Sequence, residues 1–197
     1  MPNSGFPKKW ELLSREEVFH APPWLRVLVD RVRLPSGRVV DDYYRVEAPD
    51  FALVCAFRGD GAVLLERQFK QAAGKVLYCL PTGCVEKGES PADAARRELL
   101  EETGYTAAEL EPCGTFFVDG NRGFGTGHFF VARGIEKVSE PHDDDMEVPD
   151  IHFLHSREIW EKVRSCEISS MGSLALLMMA THPDMARIPG HRLNPDR

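Results

Sequence analysis

The 197-residue sequence has no apolar run near the ~20 residues that a membrane-spanning helix requires; the longest, Leu174 to Ala180, is short and ends before His182-Pro183. The stretch Met1-Pro2-Asn3-Ser4-Gly5 offers no apolar signal core, and export is not expected. Positive charge is in deficit, with 24 Lys and Arg against 31 Asp and Glu for a formal charge of −7. That balance excludes a protein whose main work is gripping a nucleic-acid backbone. Internal repeats and low-complexity blocks are missing, and 43% hydrophobic with 28% charged residues excludes disordered and collagen-like classes. Paired cysteine spacing is missing too. The five cysteines (Cys55, Cys79, Cys84, Cys113, Cys166) are an odd count without CxxC, and the Cys79–Cys84 spacing fits no zinc pattern. Cys55 and Cys79, inside apolar runs, read as reduced core thiols; the compartment implied is the cytoplasm, without a disulfide framework.

What is present is patterned. Trp24 to Val32 alternates partially with period two, Leu34-Pro35-Ser36-Gly37-Arg38 supplies a hairpin turn, and Val39 to Val46 continues as strand. Ala48-Pro49-Asp50 breaks the pattern. Phe51 to Phe57, a turn at Arg58-Gly59-Asp60-Gly61, and Ala62 to Phe69 read as a second hairpin, with a further strand from Val76 to Leu80. A helix opens at Ser90 (N-cap), Pro91 and Asp93 (capping box) and stops at Gly104. Strands are expected again at Gly114 to Asp119, His128 to Ala132 and Ile151 to Leu154. The glycine-rich stretch Arg122 to Gly127 reads as a mobile connection, because it lacks the strand–turn–helix setting of a phosphate loop. Two helices, Ser156 to about Arg164 and Ser170 to Thr181, close the chain. The order implies a mixed α/β or α+β layered fold, one domain or one domain with an appended subdomain.

The informative segment is Gly83 through Tyr105. On a helix, Glu98, Glu101 and Glu102 fall within about 100° of one another. Like charges at these spacings repel, and the helix N-terminus is too far away to offset them. Something positive must face them. Arg97 reaches Glu101 at i,i+4, and three carboxylates on one face suit a hard divalent ion such as Mg²⁺. A lone Glu-Glu pair would read as a solvated acidic face. Here Gly83, Glu89, Arg97-Glu98-Leu99, Glu101-Glu102 and Gly104-Tyr105 stand at the full spacing of the Nudix box. Chance would produce that match in a chain of this length at odds on the order of 10⁻⁷.

The sequence therefore resembles the Nudix hydrolases. The resemblance implies a Nudix-type α/β/α sandwich with a mixed sheet, and Mg²⁺-dependent hydrolysis (Mn²⁺ as substitute) of a nucleoside diphosphate joined to another group. It implies metal binding by Glu98, Glu101 and Glu102 with the Thr82 carbonyl, and supporting roles for Glu89 and Arg97. Outside the box, Arg33-Leu34-Pro35-Ser36-Gly37, Glu66-Arg67-Gln68-Phe69-Lys70 and Leu80-Pro81-Thr82-Gly83 resemble the ADP-ribose and ADP-sugar pyrophosphatase branch. That branch implies residues 1–48 as an antiparallel β extension for dimerisation and 49–197 as the hydrolase domain, in a homodimer that uses neither nucleic acid nor membrane. Lys70, Arg67 and Arg45 are candidate phosphate contacts. Phe19, Trp24, Tyr43 and Tyr44 are candidate base-stacking residues, with core or dimer packing as the alternative, and His128 reads as structural.

Two departures stand out. Lys70 replaces an arginine common in the branch, losing the bidentate fork, and the loop Asp119-Gly120-Asn121-Arg122-Gly123 lacks a proline common in ADP-ribose hydrolases. GDP-sugars and other nucleoside diphosphates therefore stay open as substrates, as does a non-catalytic nucleotide-binding module. The resemblance places the water-activating base in the loop His142 to Pro149, where Glu147 and Asp145 are the candidates. A merely solvated acidic loop is the alternative there.

Overall fold

The computed structural model describes residues 8–142 and 149–181. They form two compact units, one ending at Pro49 and including Phe117–Thr126, the other running over Asp50–Phe116 and resuming at Gly127. No helix among the described residues is long and apolar enough to cross a membrane.

The first unit is an antiparallel meander of β1 (Glu11–Ala21), β2 (Leu25–Arg33) and β3 (Val39–Glu47). The alternation seen in sequence is real: Leu28, Asp30 and Val32 are buried while their neighbours are more open. The turn at Leu34–Arg38 closes with the Leu34 amide donating to the Arg38 carbonyl at 2.8 Å. Buried Asp30 is charge-compensated. Arg15 grips it through Nε (2.6 Å) and Nη2 (2.8 Å), and Arg45 Nη1 lies 3.6 Å away. The Arg15 hydrogen bonds hold the Asp30 carboxyl below its ordinary range against the opposing effect of burial. Phe19, Trp24 and Tyr44 are exposed, so they form no core within this unit. Tyr43 instead meets Trp10 edge-on, with ring centroids 5.4 Å apart, and donates to the Asn121 carbonyl at 2.6 Å.

Two long strands, β8 (Tyr105–Asp119) and β9 (Gly123–Lys137), run through both units along the chain. Both exceed expectation. Strand β8 starts directly after the helix instead of at Gly114, because pairing to β9 overrides the weak strand propensity of Ala107-Ala108-Glu109. The segment expected as a mobile connection is the beginning of β9. Gly123 has φ +102° and pairs with Val46, whose carbonyl would lie 2.2 Å from any Cβ there. The glycine that hides the strand in sequence is what admits the close backbone contact.

In the second unit β4 (Phe51–Ala56) pairs in parallel with β9 and antiparallel with β7 (Thr82–Cys84). A further sheet has the order β10 (Asp150–Leu154), β5 (Val63–Lys70), β6 (Lys75–Cys79). Alternate residues of β4 serve two cores. Ala52, Val54 and Ala56 cluster with Ala94, Ala95 and Leu99 of helix α1 (Pro91–Thr103). Leu53 and Cys55 cluster with Ile159 of α2 (Ser156–Arg164) and with Leu176 and Leu177 of α3 (Met171–Thr181). A mixed sheet between helices is the α/β sandwich expected from sequence. Helix α1 begins as read: Ser90 Oγ accepts from the Asp93 amide at 3.2 Å, and Gly104 (φ +76°) ends it by donating to the Leu100 carbonyl at 2.8 Å. The capping box is only half formed, since the Asp93 carboxylate accepts from Ser90 Oγ at 2.6 Å.

Candidate active site

Strand β7 and helix α1 bring the box residues together around Arg97. Its guanidinium spends all five N–H donors. Nε and Nη2 clamp the two oxygens of Glu89 at 2.9 and 3.0 Å, and Nη1 reaches Glu98 (2.7 Å) and Glu101 (3.0 Å). Nη2 also donates to the Cys84 carbonyl at 3.0 Å, tying the helix to the end of β7. The other Glu89 contact runs backward: its Oε2 accepts the Glu86 amide at 3.0 Å. These bonds, the Arg97 bonds foremost, hold the Glu89 carboxyl below its ordinary range. Arg97 is itself pushed further up, chiefly by Glu89.

Glu98 lies over Gly83. A Cβ on residue 83 would stand 2.0 Å from the Glu98 carboxylate carbon, so the box glycine is the absence of a side chain where a carboxylate must sit. Burial pushes Glu98 up, and the Arg97 hydrogen bond opposes it.

Glu102 turns away from Arg97. Its Oε2 accepts the Thr82 amide at 2.9 Å, and it meets a carboxyl to which sequence reasoning gave no role, Glu66. Glu66 is fully buried on β5 and accepts from Gln68 Nε2 at 3.2 Å. Burial first, and the Glu66 charge second, push the Glu102 carboxyl strongly upward; the Thr82 amide opposes them. The available signal was a carboxylate inside the run Val63-Leu64-Leu65-Glu66, two residues from a core leucine and therefore on the same strand face.

Alternation along β5 also separates two of the candidate cations. Lys70 shares a face with Glu66 and Gln68, whereas Arg67 faces the other way, paired with Tyr78 and in the field of Glu167 and Lys162. Arg45 belongs to the first unit, beside Asp30. Asp145 and Glu147 lie outside the described residues.

The donor chemistry fits a hard divalent cation: clustered carboxylate oxygens, two of them on groups whose ionisation burial disfavours without a counter-charge. The side chains are not converged on a common point. No three His, Cys, Asp or Glu among the described residues are grouped to hold a metal, because Arg97 draws Glu98 and Glu101 while Thr82 and Glu66 draw Glu102.

Comparison with known proteins agrees with this geometry. Residues 47–167 match the NUDIX domain model, more than half of the chain, and the chain belongs to the Nudix hydrolase family. Residues 10–46 match a second model, the nucleoside diphosphate sugar hydrolase N-terminal domain. The chain is 28% identical over 159 residues to an ADP-ribose pyrophosphatase of Bacillus subtilis, covering 76% of this chain and 85% of that protein. It is 31% identical over 125 residues to a methanol dehydrogenase activator of Bacillus methanolicus, covering 64% and 66%. In fold it resembles the crystal structure of an ADP compounds hydrolase, with a TM-score of 0.78 at 18% identity over 89% of this chain and 94% of that one.

The buried carboxyl pair has a pH signature. Because the folded state holds the Glu102 proton more tightly than the unfolded state, folded protein binds more protons between the two pKa values. Stability must then fall as pH rises through that window. In the presence of a chelator, the wild-type chain should lose more stability to urea between about pH 5 and pH 8 than Glu102→Gln does. Parallel stability profiles for the two proteins would show that the carboxyl is not held protonated.

Proposed function

We propose that the chain hydrolyses the pyrophosphate bond of a nucleoside diphosphate sugar, ADP-ribose or an ADP-sugar foremost, giving a nucleoside monophosphate and a sugar phosphate. The observation that carries this reading is the complete box built around Arg97, with Glu98 seated over Gly83. The second domain match and the ADP-ribose pyrophosphatase relative support the substrate class. Glu98, Glu101 and Glu102 with the Thr82 carbonyl would hold Mg²⁺, or Mn²⁺ in its place. Bound there, the ion supplies Lewis-acid stabilisation of phosphate charge and a more acidic water. Arg97 keeps Glu98 and Glu101 oriented, and Glu89 anchors Arg97. Lys70 meets a phosphate as a point charge instead of a fork, and Glu147 or Asp145 takes the proton of the attacking water, with Glu147 preferred for reach. The chain works in the cytoplasm.

The test is metal-dependent turnover of a panel of ADP-, GDP- and other nucleoside diphosphate sugars. ADP-ribose or an ADP-sugar should give the highest kcat/KM. A best rate on a GDP-sugar overturns the base assignment, and tight binding without turnover would make the chain a recognition module. Glu102→Gln should lower turnover on the best substrate by at least ~10²-fold, a barrier increase of ~2.7 kcal/mol. Near-wild-type rate at saturating Mg²⁺ removes Glu102 from the ligand set.

For the base, Glu147→Gln and Asp145→Asn should separate the candidates. The true base should lose roughly 10²–10⁴-fold in turnover with little change in substrate affinity. If both single variants and the double variant keep the parent rate, the base belongs to the box.

We further propose a homodimer joined through the first unit, whose exposed Phe19, Trp24 and Tyr44 are aromatic surface without a core of their own. Light scattering at micromolar concentration should give twice the 22.2 kDa chain mass. A monomer under those conditions contradicts the assignment.

A further inference from the structure

Strands β5 and β6 close their hairpin on two lysines. Lys70 and Lys75 are the last cross-strand pair before the loop Gln71 to Gly74. The loop is tight: the Lys70 carbonyl accepts the Ala73 amide at 3.0 Å and the Gly74 amide at 2.9 Å. Residues directly opposite one another in an antiparallel pair point to the same sheet face, with Cβ atoms about 5 Å apart. Two like charges in that position destabilise the hairpin. Something negative should therefore face them.

The face they share is that of the box carboxyls. Glu66 and Gln68 precede Lys70 on it, and Cys79 stands directly opposite Glu66. Among its neighbouring charges the Cys79 thiol feels Lys70 first, then Glu66 and Glu102. The Lys70 ammonium thus leans back along the hairpin toward the carboxyls, although its backbone is four residues, about 13 Å, beyond Glu66. Lys75 is exposed at the rim. Its Nζ donates to the Cys166 carbonyl at 3.3 Å, a long bond to a neutral acceptor. That bond uses one of three ammonium donors and compensates no charge. Cys166 is held beside β6 because the Tyr78 amide donates to the neighbouring Glu167 carbonyl at 2.9 Å.

We propose that Lys75 is a second phosphate-binding residue, which forms with Lys70 a two-pronged clamp on the diphosphate of the substrate. This rests on the function proposed above and deepens it. An arginine at position 70 would meet two phosphate oxygens with one planar fork, whereas a lysine offers a single point charge. The hairpin closure supplies the missing prong from the opposite strand. The phosphate in turn relieves the repulsion between the two ammonium groups, and Lys75 exchanges a neutral carbonyl for a charged oxygen. The clamp lies beyond the carboxyls on their own sheet face, so it takes the phosphate oxygens that point away from them.

The experiment measures calorimetric binding of ADP with Mg²⁺ at low and high salt, melting temperature, and steady-state kinetics on ADP-ribose. It compares wild type, Lys75→Gln, Lys75→Arg, Lys70→Arg and the double variant of Lys70→Arg with Lys75→Gln. Lys75→Gln should bind ADP about three- to ten-fold more weakly, the range for a partly exposed ionic contact. Its affinity should depend less steeply on salt. KM should rise by the same factor with kcat within about three-fold, and melting should not fall, since a like-charge pair has been removed. Lys75→Arg should keep most of the affinity. In the Lys70→Arg background the loss from Lys75→Gln should be smaller, because the fork is restored. Unchanged ADP affinity and KM in Lys75→Gln overturn the clamp while leaving hydrolysis by the wild type intact. A loss with unaltered salt dependence and lowered melting also overturns it, by assigning Lys75 to the Cys166 contact. An equal loss in both backgrounds overturns the pairing with Lys70. Should the wild type hydrolyse no diphosphate sugar, the binding arm still decides: the expected losses uphold the clamp, and failure of the wild type to bind ADP overturns it.

Discussion

The guanidinium of Arg97 is the contact on which the candidate site depends. It binds three carboxylates and one backbone carbonyl with its five donors, and it does so only because Glu89 lies before α1 while Glu98 and Glu101 lie on it. A lysine would present three donors from a single atom and could not clamp Glu89 while spanning the other two. Removing the guanidinium would leave half-buried carboxylates facing one another without compensation, the costly form of a broken buried ion pair. Even with Arg97 in place, one positive charge is set against three negative ones. The arrangement holds the carboxylates apart in orientation without neutralising them, which leaves the local field attractive to a further cation.

Burial sharpens that field on the other flank of the helix. Glu102 lies where burial and the neighbouring Glu66 charge disfavour its ionisation, and the hydrogen bond from Thr82 is modest compensation. A carboxyl so placed takes on charge more readily once something positive stands beside it. Gly83 contributes by what it lacks, since any side chain there would displace Glu98. The box thus combines a cluster that Arg97 orients and compensates in part with one carboxyl, Glu102, whose ionisation burial opposes.

The helix with its N-cap and glycine stop, the box spacing and the strand at Phe51 to Phe57 were all legible in the sequence, because each is a local pattern. Contacts between distant segments were not. Glu66 looks like one polar residue in an apolar strand until the fold brings α1 over it, and Arg45 and Arg67 look alike until pairing directs one to Asp30 and the other toward Glu167. The start of β9 was missed for a different reason. Glycines erase the side-chain alternation by which a strand is recognised, while permitting the backbone approach to Val46 that makes it a strand. Tyr105 to Cys113 was missed because its residues are weak strand formers, and cross-strand pairing decides the outcome in such segments.

The same division separates what one segment arranges from what sheet pairing arranges. Glu89, Arg97, Glu98, Glu101 and Glu102 come from one short segment, so a single capped helix and a three-residue strand suffice to place them. Thr115 and His128 come from β8 and β9, and no local pattern announces that Oγ1 and Nδ1 stand 3.3 Å apart. A substitution within the box changes the charge around Arg97 directly. A substitution at a paired strand position acts through the register of the sheet, where a shift of one residue turns every side chain to the other face.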